Sequence, residues 1–525
     1  MPSPLRSRFA LRSVTVLVLL LAAGLGALAD PPAALAQKKK VLAIAAKEPD
    51  TLDPHSSTLG QSQAITRFLY RGLTRFAIKD GKVTTSEVEP DLAESWTLSP
   101  DGTVWTFKLR KGVQFHKGFG EMTAEDVKFS FERQINRTPG TRYGVNLEVI
   151  KSIEVVDPHT VQIVLKAFDA IFLLRMVGYQ QGYIVSKKAV EKHGEQFKWN
   201  PVGTGPFYFE RHTPRERVVL RAFDRFPGGR PSIDEVQWFD VPEDATKLIG
   251  LEKGTFDLLY PEAVTADFAD QVKKMGAIID RRGPGSQERF YINMTKPPFD
   301  DIRVRRAFMH AIDRRAIKET MYPGSLGRLA VSPVPAGYFG HIPVELPEYN
   351  PDLAKKLLAE AGYPNGFDAG DLTPFPPFFG LAEGLVNYLQ QVGIRTRMRS
   401  MERAAFLSAW REKKLKGVIM GLGAPAGNAA TRIEVYVTKN GIYSSGVVPE
   451  IEDLFQRQAR ELDRKKREAL LHQIQDIMVD RVMYVPIYEL AFLWGVGPRV
   501  EEAAVDHIKG FSYSAPYEDL KLKAR

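Results

Sequence analysis

Residues 88–118, VEPDLAESWTLSPDGTVWTFKLRKGVQFHKG, followed at 122–133 by MTAEDVKFSFER, decide the fold. Pro100, Asp101 and Gly102 are turn formers. Behind them Trp105, Phe107 and Leu109 alternate with Thr106, Lys108 and Arg110. That period of two predicts a hairpin strand with one buried face. Thr123, with the carboxylate of Asp126 three residues on, predicts a helix N-cap. Val127, Phe131 and Ile135 then recur every four residues, which predicts an amphipathic helix.

Working outward, strand and helix signals keep interleaving, as in an α/β protein. Val41 to Ala45 reads as a short buried strand. Asp300 and Asp301 are positioned to cap a helix with Val304, Ala307, Phe308, Ala311 and Ile312 on its apolar face. Asn350 caps another, Pro351 opens it, Leu353, Leu357 and Leu358 face inward, and Gly362 and Pro364 stop it. A long helical region runs from about Pro449 to Arg481. Ile451, Leu454, Phe455 and Leu462 line its first part, and Leu470, Ile474, Ile477 and Met478 its second. The apolar stretch MYVPIYELAFLWGV at 483–496 then reads as strand. At 525 residues the chain is too long for one core, so two or three domains are expected.

Arg6, Arg8 and Arg12 precede an apolar run from Val14 to Leu28, and small residues follow at Ala27–Ala29 and Ala34–Ala36. This is the pattern of a secretory signal peptide. Cleavage after Ala36 is favoured over cleavage after Ala29. The run is about 15 residues, short of the roughly 20 that a bilayer core needs. Removing residues 1–36 takes away three arginines and Asp30, so the net charge falls from +9 to +7. Apart from Lys38–Lys40 and Arg464–Arg467, the basic residues are dispersed. With an export signal they read as solvated surface rather than a nucleic-acid face. The absence of cysteine excludes disulfides, thiolate metal sites, a cysteine nucleophile and a lipid anchor on an N-terminal cysteine. A released periplasmic protein fits these facts.

Several segments together resemble the extracytoplasmic solute-binding protein family 5, the peptide-, dipeptide- and nickel-binding proteins of ABC importers. Besides 88–133 they are EPDTLDPHSST (48–58), NPVGTGPFYF (200–209), FYINMTKPPFDDIRVRRAFMHAIDRRAI (290–317) and NPDLAKKLLAEAGYPNGF (350–367). They occur in family order and spacing over nearly the whole mature chain. The resemblance implies a two-lobed periplasmic-binding-protein fold of type II, with an inserted extra domain. Lobe one would use 37–75, 202–287 and 490–525, the inserted domain 76–201, and lobe two 288–489. Crossings would lie near Gln287–Tyr291 and Tyr488–Phe492. In the Gly203-Thr204-Gly205-Pro206 turn, flexible backbone precedes fixed backbone and sets the next strand.

The resemblance also implies a ligand cleft closed by hinge motion. Peptide-binding members pair a loop aspartate with the ligand amine, and dipeptide-binding members pair an arginine with its carboxylate. In the matching segment here, GVIMGLGAPAGNAATRIEVY (417–436), no acid occurs between Gly421 and Thr431; Glu434 is a nearby acid able to stand in. From Phe367 to Ile394 there is no lysine or arginine, and Phe375, Phe378 and Phe379 stand there instead. A zwitterion buried without partners carries a large desolvation cost. The expected ligand is therefore a less charged or partly apolar solute, or a longer peptide held through its backbone. By position, Ser56, Ser57, Thr58, Phe375, Phe378, Gly421, Gly423, Ala424, Asn428, Tyr488 and Trp494 are candidate ligand contacts, with core or loop packing the competing reading of each.

Catalytic signatures are missing. There is no Gly-x-Ser-x-Gly elbow and no His-Glu-x-x-His helix, and GLGAPAG lacks the Lys-Ser/Thr of a phosphate loop. His310 and Asp313 share a helix face but read as a surface or supporting pair. The expectation is a periplasmic binding protein that is not an enzyme, needs no cofactor or metal, acts as a monomer and delivers its solute to an ABC permease and ATPase complex. An exported peptide-binding chaperone, or a hydrolase of peptide-like substrates, is the alternative.

Overall fold

The computed structural model describes residues 39–57, 59–79, 82–260, 266–275, 278–279, 284–322, 327–329, 332–336, 338–423, 429–439, 441, 443–444, 446–491, 494–504 and 515–523. The expected signal peptide and its cleavage sites, and candidate residues Thr58, Ala424 and Asn428, lie outside them.

Two main sheets organise the described chain. One has seven strands in the order Ile278–Ile279, Gly495–Val496, Leu258–Leu259, Val41–Ala46, Glu235–Asp240, Arg217–Ala222, Phe207–Thr213. The other has six, in the order Gly327–Arg328, Tyr484–Ala491, Pro284–Ile292, Val418–Gly423, Phe367–Pro374, Ile394–Met398. A separate four-stranded antiparallel sheet holds the hairpin region, with strands Ala93–Leu98, Val104–Leu109, Thr160–Leu165 and Ile150–Asp157 in that order. Only two links join the main sheets between described strands, one from Ile279 to Pro284 and one from Ala491 to Gly495. The first lies earlier than expected. Gln287–Tyr291 is not a crossing: it pairs on both sides within the six-stranded sheet, against 419–423 and 484–489.

The hairpin forms as its pattern requires. Trp105, Phe107 and Leu109 are buried, Gly102 takes φ +73°, and Asp101 accepts the Thr103 hydroxyl at 2.7 Å. Thr123 and Asp126 make a reciprocal capping box on the Ala124–Ile135 helix, whose Val127 and Phe131 are fully buried. Asp301 and Asn350 cap their helices through Arg303 N and Leu353 N. The 449–481 region is two helices, Pro449–Arg460 and Arg464–Asp480, with Asp463 capping the second. Leu462, expected on the apolar face, sits in the break and is 73% exposed.

The Gly203–Pro206 turn works by close approach rather than by flexible backbone. Neither glycine has a positive φ. A Cβ on Gly203 would lie 2.1 Å from Leu69 O, and one on Gly205 2.5 Å from the Leu69 carbonyl carbon. His116, from the end of the 88–118 stretch, locks the turn. Gly203 N donates to His116 Nδ1 (3.3 Å), His116 N donates to Gly203 O (3.0 Å), and His116 Nε2 donates to Gly205 O (2.9 Å). One ring nitrogen accepts and the other donates, so the ring is the neutral Nε2–H tautomer. Burial holds its pKa down at about 4.

Candidate functional site

Topology identifies the edge of the six-stranded sheet that faces the other lobe. Gln287 pairs with Gly423 and with Glu489, so the start of the Pro284–Ile292 strand and the ends of Val418–Gly423 and Tyr484–Ala491 share one edge. Both links to the seven-stranded sheet leave from that edge. The parallel strand Phe367–Pro374 ends there too, with Phe375 N donating to Met420 O. Open α/β sheets bind ligands at the carboxyl ends of such strands.

Two groups of side chains furnish this region. The first is polar and buried. Gln287 Nε2 donates to Glu489 Oε1 (2.7 Å) and Ser332 O (2.8 Å). Its Oε1 accepts from both Arg289 and Arg432, the latter at 2.9 Å. Arg328 reaches Glu489 Oε2 at 2.6 Å. Arg289 forms no salt bridge among the described residues; its guanidinium lies 4.5 Å from the Tyr484 ring centroid. Burial, and then the charge of Arg289, lower the Arg432 pKa.

The second group is aromatic. Tyr291 stacks on Tyr436 (5.2 Å), and Trp410 packs on Tyr291 (4.9 Å) and Tyr443 (4.3 Å). Trp410 Nε1 is buried with no hydrogen-bond partner among the described residues. The Arg403–Arg411 helix carries Arg403 over the Phe375 ring at 4.6 Å, and Arg403 Nε is likewise buried without a partner. Neither Arg403 nor Arg411 makes a salt bridge among the described residues. Across from them, Asp50 Oδ1 accepts the Ser57 and Ser62 hydroxyls at 2.5 and 2.6 Å, and Gln63 Nε2 donates to Tyr143 OH at 3.0 Å. Burial pushes the Tyr143 hydroxyl up; Tyr443 and Asp50 add to this, and Arg411 opposes it. Tyr143 also donates to Ser57 O, which seats it beside the Asp50–Ser57 pair.

The candidate contacts among the described residues do not assemble into one surface. Ser57 is tied to Asp50 and Leu59 N, while Ser56 is half-buried in the same turn. Gly421 and Gly423 lie on the cleft-edge strand, but a Cβ on Gly421 would meet Trp410 at 2.6 Å and Tyr291 at 2.8 Å, so those rings cover it. Phe375 and Phe378 are buried in the lobe-two core. Tyr488 stacks on Tyr322 at 4.5 Å. Trp494 packs edge-on against Tyr260 in the lobe-one core. Glu434 does not stand free as the missing acid: both its oxygens accept Arg175 Nη2 at 3.0 Å. Sequence reading missed Arg403, Arg411 and Tyr443. Its search for a cation stopped at Ile394, nine residues short of Arg403.

A motif resembling a catalytic Asp–His pair is structural. Arg133 Nη2 holds Asp53 Oδ2 at 2.8 Å, and His55 Nε2 donates to Tyr183 O at 3.0 Å. Burial, reinforced by Arg133, holds the His55 pKa near 3, so the ring is neutral. Among the described residues no group of His, Asp and Glu is arranged to hold a metal ion, and no helix is long and apolar enough to cross a membrane.

The family model for bacterial extracellular solute-binding proteins, family 5, matches residues 87–444. A dipeptide-binding protein of Escherichia coli is 32% identical, over 92% of this chain and 95% of the relative. Heme-binding protein A of Haemophilus influenzae is 30% identical, over 87% of this chain and 88% of the relative. Among solved structures, the periplasmic binding protein DppA from Helicobacter pylori in complex with peptide STSA is 27% identical, with a TM-score of 0.80 over 92% of this chain and 98% of that one. MoaA from A.tumefacien R10 in complex with mannopinic acid is 28% identical, with a TM-score of 0.80 over 93% of this chain and 100% of that one. The chain belongs to family 5 of the bacterial extracellular solute-binding proteins. It has their two-lobed type II fold and is a transport binding protein, not an enzyme.

Proposed function

We propose that this family 5 protein captures an acid-bearing solute with a partly apolar or aromatic body, and delivers it as a monomer to an ABC permease and ATPase complex. Residues 1–36 act as its export signal, cleaved after Ala36, and 76–201 form the domain inserted in lobe one. The observation that carries the ligand class is Arg403. It stands at the cleft edge over Phe375, makes no salt bridge among the described residues, and has a buried, unpartnered Nε. A guanidinium left so is completed by an anionic oxygen, and a charge-assisted bond in a water-excluded cleft is stronger than a neutral one. The half-buried Tyr436 and Tyr443 rings, stacked at 5.6 Å and backed by buried Tyr291 and Trp410, supply an aromatic surface for the rest of the solute. This revises the less charged ligand expected from the 367–394 window, because Arg403 supplies the cation which that window lacks. On the amine side, Asp50 is the exposed acid across the cleft; it is held by two hydroxyls, not by a cation.

Dipeptide and mannopinic acid, named for the relatives, both carry the acid group that this class requires. Native mass spectrometry of the purified periplasmic protein tests it directly. The expected co-purified species carries at least one carboxylate or equivalent acid group. A neutral or purely cationic species in one-to-one amount refutes the ligand class.

A further inference from the structure

Residues 169–175 follow the four-stranded sheet, where Phe172 stacks on Trp105, yet several of their contacts are with the helices that precede the last strand of the six-stranded sheet. Arg175 is the pivot. Its Nε donates to Asp169 Oδ2 at 2.8 Å, and its Nη2 reaches both oxygens of Glu434 at 3.0 Å. Asp169 is itself fixed, since Oδ1 accepts Ile171 N at 3.0 Å. Beside this pair the backbone of Ala170 is used twice. Its N donates to Ala459 O at 3.1 Å, and its O accepts Arg467 Nη1 at 3.0 Å. Ile171 is buried in a cluster otherwise made of lobe-two residues, among them Ile433, Ile451 and Ile474, and Leu174 packs against it. Arg464 adds an exposed contact to Glu87 at 3.6 Å.

Glu434 belongs to the helix Ala429–Val437, whose Arg432 reaches Gln287 at the cleft edge. One helix therefore answers both to the cleft and to the 169–175 segment. We infer that 169–175 is a closure latch: Arg175 bridges Asp169 to Glu434 only when the lobes are shut, so that solute at the cleft edge and the latch stabilise the same closed state. The inference rests on the capture reading above and names what governs it. A ligand shifts a two-state equilibrium only by its differential affinity, and a latch adds to the closed side independently of the ligand. Loosening it should open the lobes without touching any residue proposed to meet solute.

The chain has no cysteine, so two exposed positions can be spin-labelled cleanly. Lys151→Cys on the four-stranded sheet and Lys355→Cys on the helix Pro351–Glu360 report the inter-lobe distance by double electron–electron resonance. Expected is a bimodal distribution whose shorter component falls at least severalfold in Arg175→Ala and in Glu434→Gln. It returns in part in Arg175→Lys, which keeps a cation between Asp169 and Glu434. The dissociation rate of the co-purified solute, followed by native mass spectrometry, rises roughly tenfold in the single variants, as for a partly buried charge pair. Unchanged distances in both single variants, with circular dichroism intact, overturn the latch alone. One fixed distance in every variant, with and without solute, overturns the capture reading as well.

Discussion

Arg403 stacks on Phe375 with its guanidinium 4.6 Å from the ring centroid, at the end of a lobe-two strand where the chain faces the other lobe. Both residues are half-explained by packing alone: the ring is buried, and the cation has no salt-bridge partner among the described residues. What packing leaves unexplained is the Nε proton, the atom on which the proposed anion contact rests.

Replacing that cation should cost affinity and selectivity together. Arg403→Ala is expected to raise the Kd of the co-purified solute about ten- to a hundredfold, since a hydrogen bond to a charged group contributes roughly 1.5–3 kcal/mol. Arg403→Lys should restore only part of it, because an ammonium lacks the guanidinium fork. Calorimetry with the solute and its amide derivative separates the effects. The wild type should prefer the acid, and Arg403→Ala should bind both alike. Equal loss for acid and amide contradicts the assignment.

His116 makes stability depend on pH in one direction. Its folded pKa, about 4, lies below the ordinary value of 6.5. Between those values the unfolded chain binds a proton that the fold refuses. The stabilisation is therefore complete above pH 6.5 and is lost progressively as pH falls toward 4, by about 3 kcal/mol. His116→Gln keeps one donor and one acceptor but does not titrate. Its melting temperature should fall less steeply between pH 7 and 4.5; parallel curves would show that His116 is not the titrating group.

Two glycines separate close approach from backbone strain. Gly203→Ala forces a Cβ to 2.1 Å from Leu69 O, a backbone atom that cannot step aside. It should destabilise by several kcal/mol or prevent export, as overpacking at an immobile contact does. Gly362 has φ +94° and open space around it, so Gly362→Ala should cost only about 1 kcal/mol. Thermal melts rank the two, and the reverse order would be incompatible with the turn described.

The break at 461–463 has its own signature. Ile451 is fully buried, and Ile451→Ala should cost about 2–5 kcal/mol. Leu462→Ser removes an exposed side chain and should leave the denaturation midpoint within about 0.5 kcal/mol. A large loss at Leu462 would mean that the two helices run on as one.

Local order was legible where period and capping agree. The hairpin around Gly102, the Thr123–Asp126 box and the Asn350-capped helix follow from spacing alone, because their partners lie within a few residues. Leu462 misled for the same reason: it continues an apolar period, but Asp463 starts a new helix by capping Lys466 N. The role of His116 was not legible. Its partners, Gly203 and Gly205, are almost ninety residues away, and its ring says nothing of them. The site was least legible. Phe375 is a candidate contact by position, whereas it is buried and its half-buried neighbour at the cleft edge is Arg403, brought there by a helix that begins 28 residues later. Glu434 looked like a free acid until Arg175, 259 residues earlier in the chain, was found on both its oxygens.

In the proposed function, two lobes clamp a solute between them and release it unchanged. Small-angle scattering during titration with the solute that native mass spectrometry identifies tests it most directly. Expected are saturation at one solute per chain, a smaller radius of gyration at saturation, and recovery of the same molecule on denaturation. Saturable binding with no compaction, or recovery of a chemically altered molecule, would contradict it.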